Sequence, residues 1–558
     1  MKLRWFWLGL LGMGSCYAQQ AYYVSPSGND ANNGSAGSPW QHVSYALQHV
    51  HSGDTLVLMD GVYNEKIQIP FSGLSIRARN PRGAVLDGTG LTGDEAMIRI
   101  QNRSDIHIQG VEIRNNVMND AVGILVAGSG QNIAIENCYI HDIHFSADAQ
   151  AAVTEQTNAQ GIVVYGTGTT PYTGIRITGN ELSYCRLGYS EGIALNGNVE
   201  NFEISGNYVH HLTNIGIDII GGEGTCGVDS LDVARNGLVA RNRVEYCRAG
   251  YASSAGIYVD GGQHIRIFYN RCAHNGFGME IGCENPGHEA RDVVVRNNFL
   301  LLNDEAGMAL GGYDYPGGSG RVRNCDVSNN TFWLNDGQQT GTGSLFLTYA
   351  EDCIVQNNIF VTAADDLLYA ENTQPGLVMD YNLYYDTDGD DSDNGFDFDG
   401  TAYNGLADFR SGTGLEIHGF YLNPQMQTDT TGLPRLTSSS PFNTGNPGYT
   451  PRAGETDYFG RDRIVGAAVD NGAEEWQNLT VDSTGTDFGV YPNPFDNILF
   501  LPPGMRFRYR LIDACGRVLL RGTVKDFLRT GNLARGVYRL QLTRLRDGHT
   551  KIIPLIRR

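Results

Sequence analysis

Lysine is almost missing from this chain. The 558 residues include four lysines, Lys2, Lys66, Lys525 and Lys551, and the formal net charge is −21. So acidic a chain repels nucleic acid and anionic membrane surfaces, and it has no general attraction for acidic polymers. The charge balance therefore argues against a nucleic-acid partner and favours neutral glycans over pectate or alginate.

Long apolar runs are missing beyond the N-terminus, so no membrane span is expected. The chain begins with a basic segment, residues 1–4, followed by a short apolar stretch, residues 5–13. This pattern predicts a signal peptide, residues 1–18, that is cleaved after Ala18. The alternative is a lipoprotein signal acylated at Cys16, although the residues before Cys16 match the usual lipoprotein motif poorly.

Glycine is abundant, with 72 residues, and one glycine-containing phrase recurs between Ser190 and Asp314. After each glycine, apolar residues alternate with variable ones, a period of two that predicts strands with the variable side chains facing outward. The five copies are residues 191–196, 215–220, 255–260, 277–282 and 306–311. If they stack in register, the first outward column is Ala194, Asp218, Tyr258, Glu280 and Ala309, and the second is Asn196, Ile220, Asp260, Gly282 and Gly311.

A second repeat places an asparagine between two apolar segments at intervals of 24 to 35 residues. Such a period, with strands in every unit, predicts a stacked β solenoid in which inward asparagines hydrogen-bond from coil to coil. Together the two repeats resemble the right-handed parallel β-helix families found in many secreted polysaccharide-processing enzymes. The fold class expected is therefore all-β. The repeated asparagines are Asn180, Asn207, Asn242, Asn270, Asn298, Asn330, Asn358 and Asn382.

The ends of the chain predict further parts. Residues 38–50, with Ser38 as N-cap, predict an amphipathic helix that closes the solenoid. We expect the β-helix domain over 19–476, a polar linker over 477–487 and a small β-sandwich over 488–558. Phrases at 490–495, 511–517 and 533–540 resemble the C-terminal sorting domain of the type IX secretion system. That resemblance implies export by this machinery and a secreted or cell-surface location.

The cysteines leave two interpretations open. Cys325 and Cys353 each precede a repeated asparagine by five residues, so they share a column of adjacent coils as a disulfide or as two stacked thiols. Cys185 and Cys247 are expected to be buried as small apolar residues. No cysteine and histidine spacing is typical of a zinc site.

The sequence implies no cofactor and no catalytic metal. The acidic segment 386–399 is either a structural calcium loop or a solvated loop, and it departs from the EF-hand pattern at Asp391 and Asp397.

Acidic residues occupy the outward positions of the middle phrases. Glycoside hydrolysis needs two carboxyl groups at the scissile bond, and coils ~4.8 Å apart would bring Asp260 and Glu280 within reach of one sugar. Asp218 and Glu284 are further catalytic candidates. Crowding would raise the pKa of one acid and keep it protonated. Tyr258 would stack on a sugar ring or hydrogen-bond to an acid.

Three inserts, residues 221–229, 284–291 and 312–318, lie beside these phrases. They are either turns of variable length or the walls of a cleft. In the second interpretation they supply substrate-binding residues, namely Glu223, His288, Tyr313 and Asp314.

The phrases at 256–260, 278–285 and 311–314 resemble those of β-helix proteins related to the β-xylosidases of glycoside hydrolase family 120. That family uses an aspartate nucleophile and a glutamate acid/base about one coil later. The resemblance therefore implies Asp260 as nucleophile and either Glu280 or Glu284 as acid/base.

Two other functions remain open. A lyase or epimerase would abstract a proton next to a uronate carboxylate with lysine or arginine. The acidic phrases contain no lysine, but Arg266, Arg271, Arg291 and Arg296 lie nearby in sequence. A non-catalytic glycan-binding surface protein, in which the acids only solubilise the solenoid, is the third interpretation.

Overall fold

The computed structural model describes residues 20–363, 366–389, 391, 395–477, 498–501, 506–513, 517–525, 527–530, 533–546 and 550–557. The predicted signal peptide and all but the first residue of the predicted linker lie outside the described residues. The chain divides into two compact units, residues 1–476 and 477–558. Among the described residues, no helix is long and apolar enough to cross a membrane.

The first unit is a right-handed parallel β-helix whose coils each contribute one strand to three long sheets. Consecutive coils pair in parallel, and thirteen strands of the described chain lie in each sheet. The first sheet contains Ala21–Val24, Thr55–Leu58, Leu74–Ala78, Ile106–Gln109, Ile133–Glu136, Arg176–Thr178, Glu203–Ser205, Leu238–Ala240, Arg266–Phe268, Val294–Arg296, Asp326–Ser328, Ile354–Gln356 and Val378–Asp380. The second contains Gly61–Tyr63, Ala84–Asp87, Glu112–Arg114, Tyr139–His141, Glu181–Ser183, Tyr208–Thr213, Arg243–Arg248, Arg271–Ala273, Phe299–Leu301, Thr331–Trp333, Ile359–Thr362, Leu383–Asp386 and Phe420–Tyr421.

The third sheet carries the recurring glycine phrases. Its strands are Ile67–Gln68, Ala96–Gln101, Ala121–Ala127, Ala159–Gly166, Ile193–Gly197, Ile217–Ile220, Ala255–Asp260, Phe277–Gly282, Met308–Leu310, Leu345–Leu347, Leu368–Ala370, Phe396–Phe398 and the antiparallel Thr401–Tyr403. Between the third and first sheets, some coils add a short strand: Gly130–Gln131, Tyr172–Thr173, Val199–Glu200, Ala234–Arg235, Glu289–Arg291, Arg321–Arg323 and Ala350–Glu351. A 3-10 helix, Asp229–Leu231, an α-helix, Leu406–Thr413, and a hairpin, Gln427–Thr428 with Pro434–Arg435, complete this unit.

The core follows from the period of two. Ile217, Val259 and Ile281 are fully buried inside the solenoid, as the alternation predicts. Equivalent apolar side chains are buried in the other coils, and their burial stabilises a solenoid that grows by repetition.

The asparagine ladder is confirmed. From Asn180 to Asn382 each asparagine donates its side-chain amide to the Oδ1 of the next, at 2.9–3.1 Å. The same Oδ1 accepts the main-chain N–H of the preceding asparagine at 2.7–3.0 Å. From Asn180 to Asn358, the ladder thereby supplies an acceptor for the buried main-chain N–H of each of these asparagines. The ladder ends on Glu416, which accepts the Asn382 amide at 2.6 Å.

A second, shorter ladder lies in the turn between the second and third sheets. Asn275 donates to Asn303 Oδ1 at 3.3 Å, and Asn303 donates to Asn335 Oδ1 at 2.7 Å. These amides explain the glycine of the recurring phrase. A Cβ on Gly278 would lie 2.6 Å from the Asn303 amide and 2.4 Å from the Gly307 carbonyl oxygen, so no larger residue fits.

The cysteines of the described chain are free. Cys325 and Cys353 are stacked thiols, with the Cys325 N–H donating to Cys353 Sγ at 3.4 Å. Cys185 and Cys247 are buried, as predicted.

The N-terminal helix is shorter than the sequence predicts. It spans Val43–Ala46, not 38–50. Ser38 does not cap it, because residues 38–40 are extended: Trp40 donates its N–H to Tyr23 and pairs with Val24. Glu65 instead accepts the first helical N–H groups, from Val43 and Ser44, at 2.9 Å each.

The segment 386–399 is only partly described, since residues 390 and 392–394 lie outside the described residues. Across the described ranges, no group of three or more histidine, cysteine or acidic side chains is arranged to hold a metal ion. The calcium interpretation stays a prediction.

The second unit is an antiparallel β module. One sheet contains, in order, Val518–Lys525, Arg506–Asp513, Gly536–Arg544 and Thr550–Arg557, and a second pairs Ile498–Phe500 with Phe527–Arg529. Its core includes Phe507, Leu511 and Leu540. The first sorting phrase, residues 490–495, lies outside the described residues.

Candidate active site

The outward face of the third sheet carries the predicted acids. Asp218 pairs with Tyr258, and Tyr258 pairs with Glu280. Ala194 and Ala309 flank these three positions, which confirms the predicted order of the first outward column. The column ends at a further acid, Asp397, beyond Phe346 and Tyr369.

Asp260 lies at the end of its strand. Asp260 pairs with Gly282 of the next strand. The parallel pairing with the preceding strand ends before Asp260, because Ile220 forms an antiparallel bridge with Gly261 instead. A Cβ on Gly282 would lie 3.0 Å from the Tyr258 hydroxyl. The glycine therefore leaves room beside Asp260 for the tyrosine side chain.

Glu284 lies on the turn after the next strand and contacts Asp260 directly. The Glu284 N–H donates to Asp260 Oδ1 at 2.7 Å. Asp260 is 2% exposed, whereas the Glu284 side chain reaches solvent. One turn thus fixes a buried carboxylate and presents a second, accessible one beside it.

Two more glutamates complete the group, which we call the acid cluster: Glu191, Asp218, Glu223, Asp260, Glu280 and Glu284. Asn196 Nδ2 donates to Glu223 Oε2 at 2.7 Å. Gln160 Nε2 donates to Glu191 Oε2 at 3.3 Å. Both amides lie on the outward face of earlier coils, so the cluster continues toward the N-terminal end of the sheet.

Burial and mutual repulsion raise the pKa values in the acid cluster. Burial, then Glu284, raises the pKa of Glu280 to about 8, and burial, then Glu223, raises that of Glu191 to about 8. Burial and nearby acids raise the pKa values of Asp218 and Asp260 well above the usual range. Burial, then Glu223, also raises the pKa of Glu284. Burial and repulsion therefore keep more protons on these carboxyl groups near neutral pH than a free carboxyl group would hold.

The predicted tyrosines face the acids. Tyr258 is 3% exposed, and burial, then Asp260, raises the pKa of its hydroxyl well above the usual range. Tyr313 is 54% exposed, and its pKa is raised by burial and then by Glu284. One tyrosine lies within the cluster and the other at its solvent edge.

His288 and Asp314 are placed differently. The His288 ring packs on Gly222, where a Cβ would lie 2.5 Å from it, and its Nε2 lies 3.4 Å from Asp229. It supports the insert that carries Glu223. Asp314 folds back over its own loop, since a Cβ on Gly318 would lie 2.2 Å from its Oδ2.

The four candidate arginines lie elsewhere. Arg271 pairs with Glu245 on the second sheet, Arg291 with Glu289 on a short strand, and Arg296 with Asp326 on the first sheet. Arg266 is exposed on the first sheet. Within the described part of the chain, no ion pair joins a lysine or arginine to the acid cluster.

A cleft of about 400 Å³ adjoins the cluster on the N-terminal side. Glu191 and Glu223 belong to both, and Asn196, Gln160 and Tyr165 also line the cleft. Its other acidic residues are Glu95, Asp120 and Glu155.

Strict alternation misses Glu191, because the chain is irregular at the glycine of the phrase. Val122 and Leu125, three residues apart around Gly123, both lie in the outer apolar cluster. Glu191 and Ala194 bracket Gly192 in the same way. The signal was the glycine itself, which marks an interruption of the period of two.

These features define a right-handed parallel β-helix with acids gathered on one sheet. A family model of the Pel9A-like right-handed β-helix region matches residues 22–167, and one of the right-handed β-helix region matches residues 230–408. YwoF of Bacillus subtilis (strain 168) is 32% identical over 442 residues, which cover 75% of this chain and 91% of YwoF. The chain belongs to the same β-helix family as YwoF.

Two solved structures are similar to this chain at lower identity. Pectate lyase Pel9A is 17% identical, with 82% of this chain and 97% of that chain covered and a TM-score of 0.42. XylC, solved in complex with xylose, is 11% identical, with 74% and 88% covered and a TM-score of 0.42.

Proposed function

We propose that the protein is a carbohydrate-processing enzyme, a glycoside hydrolase whose active site is the acid cluster. One observation carries the proposal: the buried Asp260 carboxylate accepts the N–H of Glu284, whose own carboxyl group is accessible and has a raised pKa. Glycoside hydrolysis uses one carboxylate and one carboxylic acid at the same bond.

Hydrogen bonding and accessibility divide the two roles, because the pKa values of both carboxyl groups are raised. The N–H of Glu284 orients Asp260 and opposes the rise in its pKa that burial causes, so this contact stabilises the ionised Asp260 that serves as the nucleophile or as the base that activates water. Glu284 faces Glu223, which favours its protonated form, so it donates a proton to the leaving oxygen. Glu280, one strand away from Asp260, is the alternative acid.

A lyase is less well supported, because abstraction of a proton next to a uronate carboxylate calls for a cation to neutralise that group. The arginines considered above are paired with other acids or exposed on other sheets. Residues 20–477 contain one lysine, Lys66, and its Nζ donates to the Asp94 carbonyl oxygen at 2.5 Å.

Variants of the purified protein, assayed for new reducing ends on a glycan panel, test the proposal. We expect Asp260→Asn and Glu284→Gln each to lower hydrolysis at least ~10³-fold with the fold intact, since each removes several kcal/mol of transition-state stabilisation. Glu289→Gln is the matched control, because Glu289 begins the short strand that follows the Glu284 turn and pairs with Arg323 at 2.7 Å. Its rate should equal that of the wild type.

The outcomes separate the alternatives. A severe loss in Glu280→Gln with a mild one in Glu284→Gln moves the acid to the strand. Wild-type rates in Asp260→Asn, Glu280→Gln and Glu284→Gln would show that the acid cluster takes no part in catalysis. Unsaturated products would identify a lyase. Rescue of Asp260→Ala by azide, with a glycosyl azide product, would establish a nucleophile and a retaining mechanism.

We also propose that the second unit directs export through the type IX secretion system and that the protein acts outside the cell or on its surface. The support is the set of C-terminal phrases together with the antiparallel β module that contains two of them.

A further inference from the structure

The cleft beside the acid cluster contains a buried polar atom without a partner. Asn196 is 4% exposed and lines the cleft, and its Nδ2 donates to Glu223, but its Oδ1 accepts no hydrogen bond. A buried acceptor left unpaired costs about 1–3 kcal/mol. The atom therefore marks a place where a ligand can supply a donor.

The cleft is rich in acceptors, and several of its donors are used internally, including Ser190 Oγ, which donates to Asn158 Oδ1 at 3.0 Å. Gln160 Nε2 donates to Glu191, and the Tyr165 hydroxyl donates to Gln160 Oε1 at 3.1 Å. Glu95 contacts Arg99. The carboxylates of Asp120 and Glu155 and the remaining oxygens of Glu191 and Glu223 add further acceptors. A ligand that matches this lining brings hydrogen-bond donors and no negative charge.

One side of the cleft is apolar. Val122, Leu125 and Ile220 line it and belong to one outer apolar cluster, with Tyr165 packed against that cluster. A sugar ring has such a division, with C–H groups on its faces and hydroxyl groups at its edge. The cleft thus matches a pyranose ring better than a peptide or a flat aromatic ligand.

We infer that this cleft is a glycan subsite next to the point of cleavage, which takes a sugar without acidic groups and rejects uronic acids and sulfated sugars. The inference rests on the proposed glycoside hydrolase function and adds the substrate class. Neutral sugars and amino sugars would bind by the same chemistry. Hydroxyl groups of a neutral sugar, or the ammonium group of an amino sugar, would donate hydrogen bonds to Asn196 Oδ1 and to the surrounding carboxylates.

Calorimetric titration of the full-length protein carrying Asp260→Asn, which binds without turnover, tests the inference. The probes are cellotetraose, xylotetraose, mannotetraose, the glucosamine tetramer and tetragalacturonate. We expect at least one neutral or amine probe to bind at least ~10-fold more tightly than tetragalacturonate. Equal or tighter binding of tetragalacturonate, or binding of none of the probes, would overturn the inference.

Further substitutions in this background locate the binding. Asn196→Ala should lower the affinity for the tightest-binding probe at least ~10-fold. Asn33→Ala, at an exposed asparagine distant in the fold, should leave that affinity unchanged. The double variant Asp120→Asn, Glu155→Gln should weaken the glucosamine tetramer more than neutral probes and improve tetragalacturonate. It is structurally conservative, because Asp120 has φ 61° and asparagine tolerates that conformation. Unchanged affinities in both variants would place the ligand elsewhere.

The two proposals fail separately. If oligosaccharides bind through Asn196 but the wild type hydrolyses none of them, the subsite stands and the hydrolase falls. If the wild type hydrolyses glycans through Asp260 while Asn196→Ala leaves both KM and affinity unchanged, the hydrolase stands and the subsite falls.

Discussion

Glu280 provides a test in which stability and pH are linked. Burial, then Glu284 and Glu305, raises its pKa from 4.5 to about 8. A carboxyl group whose pKa is higher in the folded state contributes stability that is fully present below the unfolded pKa. That contribution is lost as the pH rises through the folded pKa. We therefore expect Glu280→Gln, which cannot ionise, to become more stable relative to the wild type as pH rises from 5 to 9.

The magnitude follows from the shift. The pKa difference is about 8 − 4.5 = 3.5, and each pKa unit corresponds to about 1.4 kcal/mol. The full linkage is about 5 kcal/mol, of which about 4 kcal/mol falls between pH 5 and pH 9, because the folded group is almost wholly protonated at pH 5 and almost wholly ionised at pH 9. The half-buried position of Glu280 makes this an upper value.

Urea unfolding of the wild type and Glu280→Gln at pH 5, 7 and 9, followed by circular dichroism, measures the difference. Glu289→Gln is the control of opposite sign, because the hydrogen bond from Arg323 lowers the pKa of Glu289. Its stabilising contribution is present above the unfolded pKa and is lost only in acid, so its difference from the wild type should stay nearly constant from pH 5 to 9. A Glu280→Gln difference that is equally constant would refute the burial argument.

Two further predictions concern the scaffold and the C-terminal unit. Asn270→Leu should destabilise the solenoid by about 3 kcal/mol, because it removes the acceptor of the Asn242 N–H and of one Asn242 amide hydrogen, and also the donor to the Val239 carbonyl group. An unchanged urea midpoint would show that the ladder does not stabilise the solenoid. Deletion of residues 488–558 should leave a folded β-helix in the periplasm of a host with the type IX system, and normal surface delivery of the truncated protein, seen by cell fractionation, would contradict the sorting role.

The register of the site was predictable, since a parallel solenoid repeats its side-chain directions once per coil. The period of two alone predicts that Asp218, Tyr258 and Glu280 share one column, and the pairing of the strands confirms it. The first ladder was predictable for the same reason, because its asparagines recur in eight successive units of the sequence.

Other features required the three-dimensional structure. Glu191 joins the acids because the chain is irregular at Gly192, just before the strand Ile193–Gly197, and a simple alternation does not show this. The second ladder has few members, and its column begins with Cys247, whose N–H donates to Asn275 Oδ1, so no single residue type marks it in sequence. Asp314 turns into its own loop through contacts within that loop, which a column argument does not address.

The second ladder explains how crowded acids keep one geometry. Repulsion within the acid cluster favours any movement that separates neighbouring coils. Burial of the carboxyl groups strengthens this tendency, because it disfavours their charged forms. Asn275 and Asn303 oppose this movement, since each lies in the turn that leads into a third-sheet strand and binds the coil on either side. Gly278, just after the Asn275 turn, also packs closely against Gly307 and Asn303 of the next coil. The second ladder therefore fixes the spacing of the coils at the start of the third-sheet strands that carry the carboxyl groups, and the proposed catalytic pair requires a fixed spacing.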